Sequence, residues 1–158
     1  MNLEKKYMEL AIEKAYEGIR NGQAPFGACI VKADQIIAIE HNIVWREKDP
    51  TAHAEVVAIG QACKKLDTIL LEGAVIYSTT EPCPMCFAAC HWARISCIVY
   101  GASIQDAAAA GFNELMISNN KLKQETSSPI SITAGFMDDT CRQLFKNWKN
   151  FAGGCNAY

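Results

Sequence analysis

The stretch Glu81-Pro82-Cys83-Pro84-Met85-Cys86 (EPCPMC, residues 81–86) puts two cysteines three positions apart, ahead of a run without glycine or proline. A Cys-x-x-Cys pair has three ordinary uses: a redox couple, half of a structural zinc site, or part of a catalytic one. The flanks narrow the choice. AVIYSTT (74–80) reads as a short apolar strand, and CPMCFAACHWAR (83–94) as a helix. Pro84 falls in the first turn of that helix, where its missing N–H costs nothing. The pair therefore stands where a helix begins beyond the carboxyl end of a strand, the place where open α/β sheets gather ligands.

Working outward, the spacing of Met8, Ala11, Ile12, Ala15 and Ile19 predicts an amphipathic helix over 3–20, ended by NGQAPFG (21–27). FGACIVK (26–32) and QIIAIEHNIV (35–44) read as an antiparallel hairpin about ADQ. DPTAHAEVVAIGQACKKL (49–66) starts with Asp-Pro-Thr and continues with strong helix formers, so it reads as a capped helix. ISCIVYGAS (95–103) is the next strand, ISITAGF (130–136) a further one, and DDTCRQLFKNWKNF (138–151) a closing helix; SNNKLKQETSSP (118–129) is polar and carries no clear signal. Hairpin, helix, strand, helix, strand makes an α/β sandwich, and right-handed crossovers make the strands at 74–80 and 95–103 parallel.

The chain has 158 residues, one ordinary domain's length, so residues 1–158 are expected to form a single domain. A net charge of -2 with no Lys/Arg run argues against a large nucleic-acid footprint. MNLEKKYMEL places charges where a signal peptide needs an apolar stretch, and the apolar runs are too short for a bilayer. A cytoplasmic location is expected, where thiols stay reduced. The eight cysteines then read as ligands and small core residues rather than disulfides. Cys29, Cys63, Cys97 and Cys141 are expected in the core.

A second element changes the meaning of the cysteine pair. His53-Ala54-Glu55 opens a helix, and H-x-E…P-C-x-x-C is the signature of zinc deaminases; His53, Glu55, Pro82, Cys83 and Cys86 complete it. His53 and two thiolates supply three zinc ligands and leave the fourth position for water. The ion brings that water's pKa toward ~7. Glu55 is not a ligand but the proton shuttle. Cys83 and Cys86, at i and i+3, share a helix face. His53 and Glu55, at i and i+2, converge only if the first turn is entered at a suitable angle. A closed structural site would need Cys90 or His91, which lie about 10–12 Å along the helix from Cys83 at 1.5 Å per residue. Cys90 is expected to pack beneath the site.

On these residues, together with PFGACIV (25–31) and His41-Asn42, the chain resembles the cytidine-deaminase-like superfamily and its nucleobase and tRNA-adenosine deaminase branch, over about residues 3–117. The resemblance implies a three-layer α/β/α fold around a five-stranded mixed sheet of order 2-1-3-4-5, with Zn2+ as cofactor. QDAAAAGFNE (105–114) and NWKNFAGGCNAY (147–158) look like segments of bacterial guanine deaminases. By position, Phe26 would stack on the base, Asn42 would hydrogen-bond it, Trp92 would line the pocket, Glu114 would read the guanine edge and Tyr158 would close the site. A homodimer with exchanged C-terminal segments (about 137–158) is implied. The pattern departs at Asn113-Glu114, where a family member carries two aspartates, which leaves room for another aminated ring such as an aminotriazine, a pterin or cytosine. The plainer alternatives are a core Phe26, a strand-end cap at Asn42, helix packing by Trp92, a solvated Glu114 and a frayed Tyr158.

The leading expectation is deamination of guanine to xanthine and ammonia, a step of purine metabolism, with no membrane partner. The alternatives are a tRNA wobble-adenosine deaminase, which calls for a basic surface that the uncharged FAGGCNAY end does not supply, and a zinc-stabilised scaffold without turnover, in which Glu55 would have no purpose.

Overall fold

The apolar stripe Met8, Ala11, Ile12, Ala15 and Ile19 is the buried face of helix α1 (Lys5–Arg20) in the computed structural model, which describes residues 4–151. Strands β1 (Gly27–Lys32) and β2 (Gln35–His41) pair antiparallel around Ala33 and Asp34, both at positive φ (47° and 60°). Such a turn matches the right-handed twist of the strands it joins. Strand β1 also pairs antiparallel with β3 (Val75–Thr80), and β3 is parallel to β4 (Cys97–Ala102), which is parallel to β5 (Ser131–Thr133). The sheet order is β2-β1-β3-β4-β5.

Helices cover both faces of this sheet. On one, α1 and α7 (Asp138–Phe151) bury Met8, Ile12, Leu144, Phe145 and Trp148 against Cys29, Tyr77 and Val99. On the other, α3 (Ala54–Leu66) and α4 (Pro84–Trp92) bury Ala54, Ala58, Phe87 and Cys90 against Ala28, Ile30, Ile76 and Ile98. The three-layer α/β/α architecture expected from the resemblance is the one observed. Gly27 lets α1 lie directly on β1, because a Cβ there would run into the Ala11 carbonyl oxygen.

Several local expectations are corrected. The strand read through Val44 ends at His41. Asn42 Oδ1 accepts from the Val44 N–H at 3.2 Å, and the chain turns into a short helix, α2 (Val44–Glu47). The helix read from Asp49 begins only at Ala54, because Asp49 Oδ1 accepts the Thr51 N–H at 2.8 Å and closes a separate turn. The polar 118–129 stretch contains a helix, α6 (Asn119–Thr126), started by Ser118 accepting from the Lys121 N–H. Helix α5 (Ile104–Ala110) has a reciprocal Ser103–Asp106 cap and is stopped by Gly111 at φ 111°. Cys29, Cys97 and Cys141 are buried as expected, whereas Cys63 is only half-buried. Every cysteine among the described residues is a free thiol. No helix among them is long and apolar enough to cross a membrane.

Candidate active site

Two helices begin side by side at the carboxyl end of β3, and each is entered through a residue with extended backbone. His53 is the N-cap of α3 (φ −67°, ψ 154°) and Cys83 the N-cap of α4 (φ −62°, ψ 167°). Neither side chain caps its own helix. This resolves the spacing problem of His53 and Glu55: His53 stands outside the helical repeat, so both side chains reach one place. It also revises the reading of Cys83, which precedes the helix that carries Cys86.

The three candidate ligands form a tight triangle. Cys83 Sγ lies 3.6 Å from Cys86 Sγ and 3.7 Å from His53 Nδ1, and Cys86 Sγ lies 3.5 Å from His53 Nδ1. Zinc–sulfur bonds of about 2.3 Å and zinc–nitrogen bonds of about 2.0–2.1 Å at tetrahedral angles separate ligand atoms by about 3.6–3.8 Å. The triangle fits zinc, and the donor set of two sulfurs and one imidazole is a zinc set. The positive ends of α3 and α4 both favour negative charge here. The hydrogen bond with Cys86 holds the Cys83 thiol down at about 4 against the opposing effect of burial, and His53 adds to it. That same bond, burial and the neighbouring Glu55 push Cys86 upward. A bound cation would bring both to thiolate. Cys90 is buried beneath the site, and burial pushes its thiol well up.

Glu55 is buried beside the triangle. Its Oε1 accepts from the Ser78 hydroxyl at 2.8 Å, and its Oε2 lies 3.4 Å from Cys86 Sγ. Burial raises its pKa above the ordinary carboxylate range, with His53 and the Ser78 hydrogen bond pulling the other way.

His53 and Cys83 of the triangle line a pocket of about 230 Å³, together with Phe26, Pro50, Glu55, Thr80, Glu81, Phe112, Asn113 and Glu114. Of the substrate contacts read from sequence, Phe26 and Glu114 are brought together here. The Phe26 ring packs edge-on to Phe112 and Phe145, with centroids 4.8 and 5.9 Å apart. The plain core reading and the pocket reading of Phe26 therefore both describe it. Glu114 follows Gly111 on an irregular segment, and burial together with the nearby Cys83 raises its carboxyl to about 7. Asn42 is buried behind Phe26, whose carbonyl accepts the Asn42 N–H, and its side-chain oxygen caps α2. Asn42 does not line this pocket.

Trp92 is not in the pocket. It ends α4, is 78% exposed, and borders a separate groove with Ile69, Leu70, Pro129 and Ile130. The reason is helix length: nine residues from Cys83 carry the chain about 13 Å at 1.5 Å per residue. Tyr158 and Cys155 lie outside the described residues.

Sequence reasoning missed the residues that hold the site in place. Glu81 is buried and accepts N–H groups from Ile104 (3.2 Å) and Asn119 (2.8 Å), tying the starts of α5 and α6 to the loop before Cys83. The Asn119 amide also donates to the Pro82 carbonyl at 2.5 Å. A carboxylate beside Pro82-Cys83 was a visible signal, but Asn119, 38 positions from Glu81, was not.

Comparison with known proteins agrees with this geometry. Residues 1–102 match the family model described as the cytidine and deoxycytidylate deaminase zinc-binding region. A guanine deaminase of Bacillus subtilis is 40% identical over 152 residues, covering 92% of this chain and 94% of that one. A tRNA-specific adenosine deaminase of the same organism is 33% identical over 141 residues, covering 89% and 85%. The solved structure of a guanine deaminase from Nitrosomonas europaea superposes with a TM-score of 0.86 at 27% identity, covering 95% of this chain and 86% of that one. With residues 1–102 matched by that model and a 40% identical relative covered almost end to end, the chain belongs to the cytidine and deoxycytidylate deaminase zinc-binding family.

Proposed function

We propose that this enzyme hydrolyses guanine to xanthine and ammonia. The observation that carries the reading is Glu114, a carboxylate on the wall of the pocket that holds His53, Glu55 and Cys83. Guanine presents N1–H and an exocyclic amine as adjacent donors, and one carboxylate can accept both. Adenine presents an acceptor at N1, which a carboxylate repels. The 40% identity to a guanine deaminase across nearly the whole chain supports the same choice.

Zinc, held by His53, Cys83 and Cys86, would supply the charge that activates water near neutral pH. The chain's own groups do the rest. Glu55 accepts the proton of the attacking water, passes it to the ring nitrogen beside the reacting carbon, and protonates the leaving amine. Water adds, ammonia leaves, and the base keeps a carbonyl. Phe26 stacks on the ring and Glu114 orients it. Helix α7 backs this wall, since the Trp148 ring lies 5.0 Å from that of Phe112.

One observation favours a second reading, deamination of tRNA adenosine: the 33% identity to such an enzyme. Its basic surface is thin here. Arg142, beside Lys146 and Lys149, is already bound to Asp138 at 2.9 Å and Asp139 at 2.6 Å.

The test is Glu114→Gln. Charge-assisted bonds of about 1.5–3 kcal/mol predict a fall in guanine turnover of about 10–100-fold with zinc content unchanged. An unchanged rate would make Glu114 a surface charge and remove the basis for guanine.

A further inference from the structure

Strand β3 sends Val75, Tyr77 and Thr79 toward one face of the sheet and Ile76, Ser78 and Thr80 toward the other. On the second face, Ser78 sits between Ala28 of β1 and Tyr100 of β4, in register with both. This row belongs to the core under α3 and α4, and Ser78 is 2% exposed. A hydroxyl buried among Ala28, Ile76 and Ile98 costs free energy unless it is hydrogen-bonded. Its bond goes to Glu55 Oε1 at 2.8 Å, from a strand held on both sides to a carboxylate that is 5% exposed.

The two oxygens of Glu55 are thereby distinguished. Oε1 is anchored on the sheet, while Oε2 faces Cys86 and the ligand triangle. The 3.4 Å contact between Cys86 Sγ and Oε2 cannot fix the carboxylate once the metal is bound, because a thiolate has no proton to give. Ser78 keeps its proton in either state. It does not line the pocket, so it touches Glu55 and not the substrate.

We propose that Ser78 is the positioning residue of the proton shuttle: it fixes the rotation of the Glu55 carboxylate so that Oε2 alone is presented to the reacting centre. This rests on the assignment of Glu55 as the shuttle. A carboxylate free to rotate about its terminal torsion, which is broad and roughly two-fold, would spend part of its time misaligned. The cost would fall on the chemical step, since misplacement of a reacting group acts on kcat.

The test compares Ser78→Ala, Ser78→Thr and Glu55→Gln in the zinc-loaded enzyme, with zinc content and thermal unfolding as controls. Ser78→Ala should lower kcat for guanine about 10-fold or more with KM within about twofold, as expected for a lost hydrogen bond to a charged group. Ser78→Thr keeps the hydroxyl and should recover most of the rate. In a Glu55→Gln background, Ser78→Ala should add little further loss. A crystal structure of zinc-loaded Ser78→Ala should show the Glu55 carboxylate turned or split between two positions, a readout that needs no substrate. A carboxylate unmoved in that structure overturns the proposal, as does full activity of Ser78→Ala beside an inactive Glu55→Gln. Full activity of Glu55→Gln would instead overturn the shuttle itself.

Discussion

The active site has two halves built in different ways. The chemical half, His53, Glu55, Cys83 and Cys86, sits on the first turns of two helices that start beyond a central strand. Those side chains are fixed by the sheet, by Ser78, and by the Glu81–Asn119 clasp. The half we assign to recognition, Phe112, Asn113 and Glu114, lines the pocket and follows Gly111 on a segment without regular hydrogen bonding. On that assignment, chemistry that must be placed to a fraction of an ångström is carried by rigid elements, while substrate choice falls to a loop that can change without disturbing it.

Substitutions that break this contrast should differ in size. The largest effect belongs to Glu55→Gln, which removes proton transfer but leaves fold and metal: turnover of any substrate should fall by about 10²–10⁴-fold, with zinc retained by elemental analysis. Activity within tenfold of the parent would assign the proton to another group. Deleting residues 153–158 should leave a folded, zinc-loaded protein with strongly reduced deamination, and Tyr158→Phe should lose less because the ring remains. Mixing Glu55→Gln chains with truncated chains should restore some activity if tails are exchanged between subunits.

A smaller effect should appear in the pH profile. The carboxyl of Glu114 is raised to about 7, so it loses its negative charge as pH falls through that value. Guanine kcat/KM should then decline on the acid side with an inflection near 7, and Glu114→Gln should flatten that limb. An identical limb in the variant would place the titration elsewhere. The smallest effects belong to Cys90→Ser, which should keep its zinc, and to Trp92→Ala, which should leave turnover within about twofold.

The chemical half was legible because the reaction demands particular residue types. No substitute for His53, Cys83, Cys86 and Glu55 supplies two thiolates, an imidazole and a proton carrier at those spacings. The angle at which they converge was not legible, since it depends on His53 and Cys83 standing outside their helices with extended backbones. For Trp92, the rise per residue that removes His91 from the metal also removes its neighbour from the pocket. Ser78 had no signature, because one serine in an apolar strand looks like any other until its partner, 23 residues away, is seen. Helix α6 escaped periodicity because its apolar content is little more than Leu122, although Ser118 gave a start signal. The sheet order came from family resemblance rather than from pattern, since β5 has only three residues.

We propose that a zinc deaminase centre is matched here to a free base by a carboxylate on its wall. It is tested most directly by measuring ammonia release from the zinc-loaded enzyme with free guanine, free adenine, cytosine and a tRNA anticodon stem-loop side by side. Guanine should give xanthine and ammonia in equal amounts, with little or no product from adenine or the stem-loop. Inosine formed in the stem-loop, with guanine untouched, would contradict it.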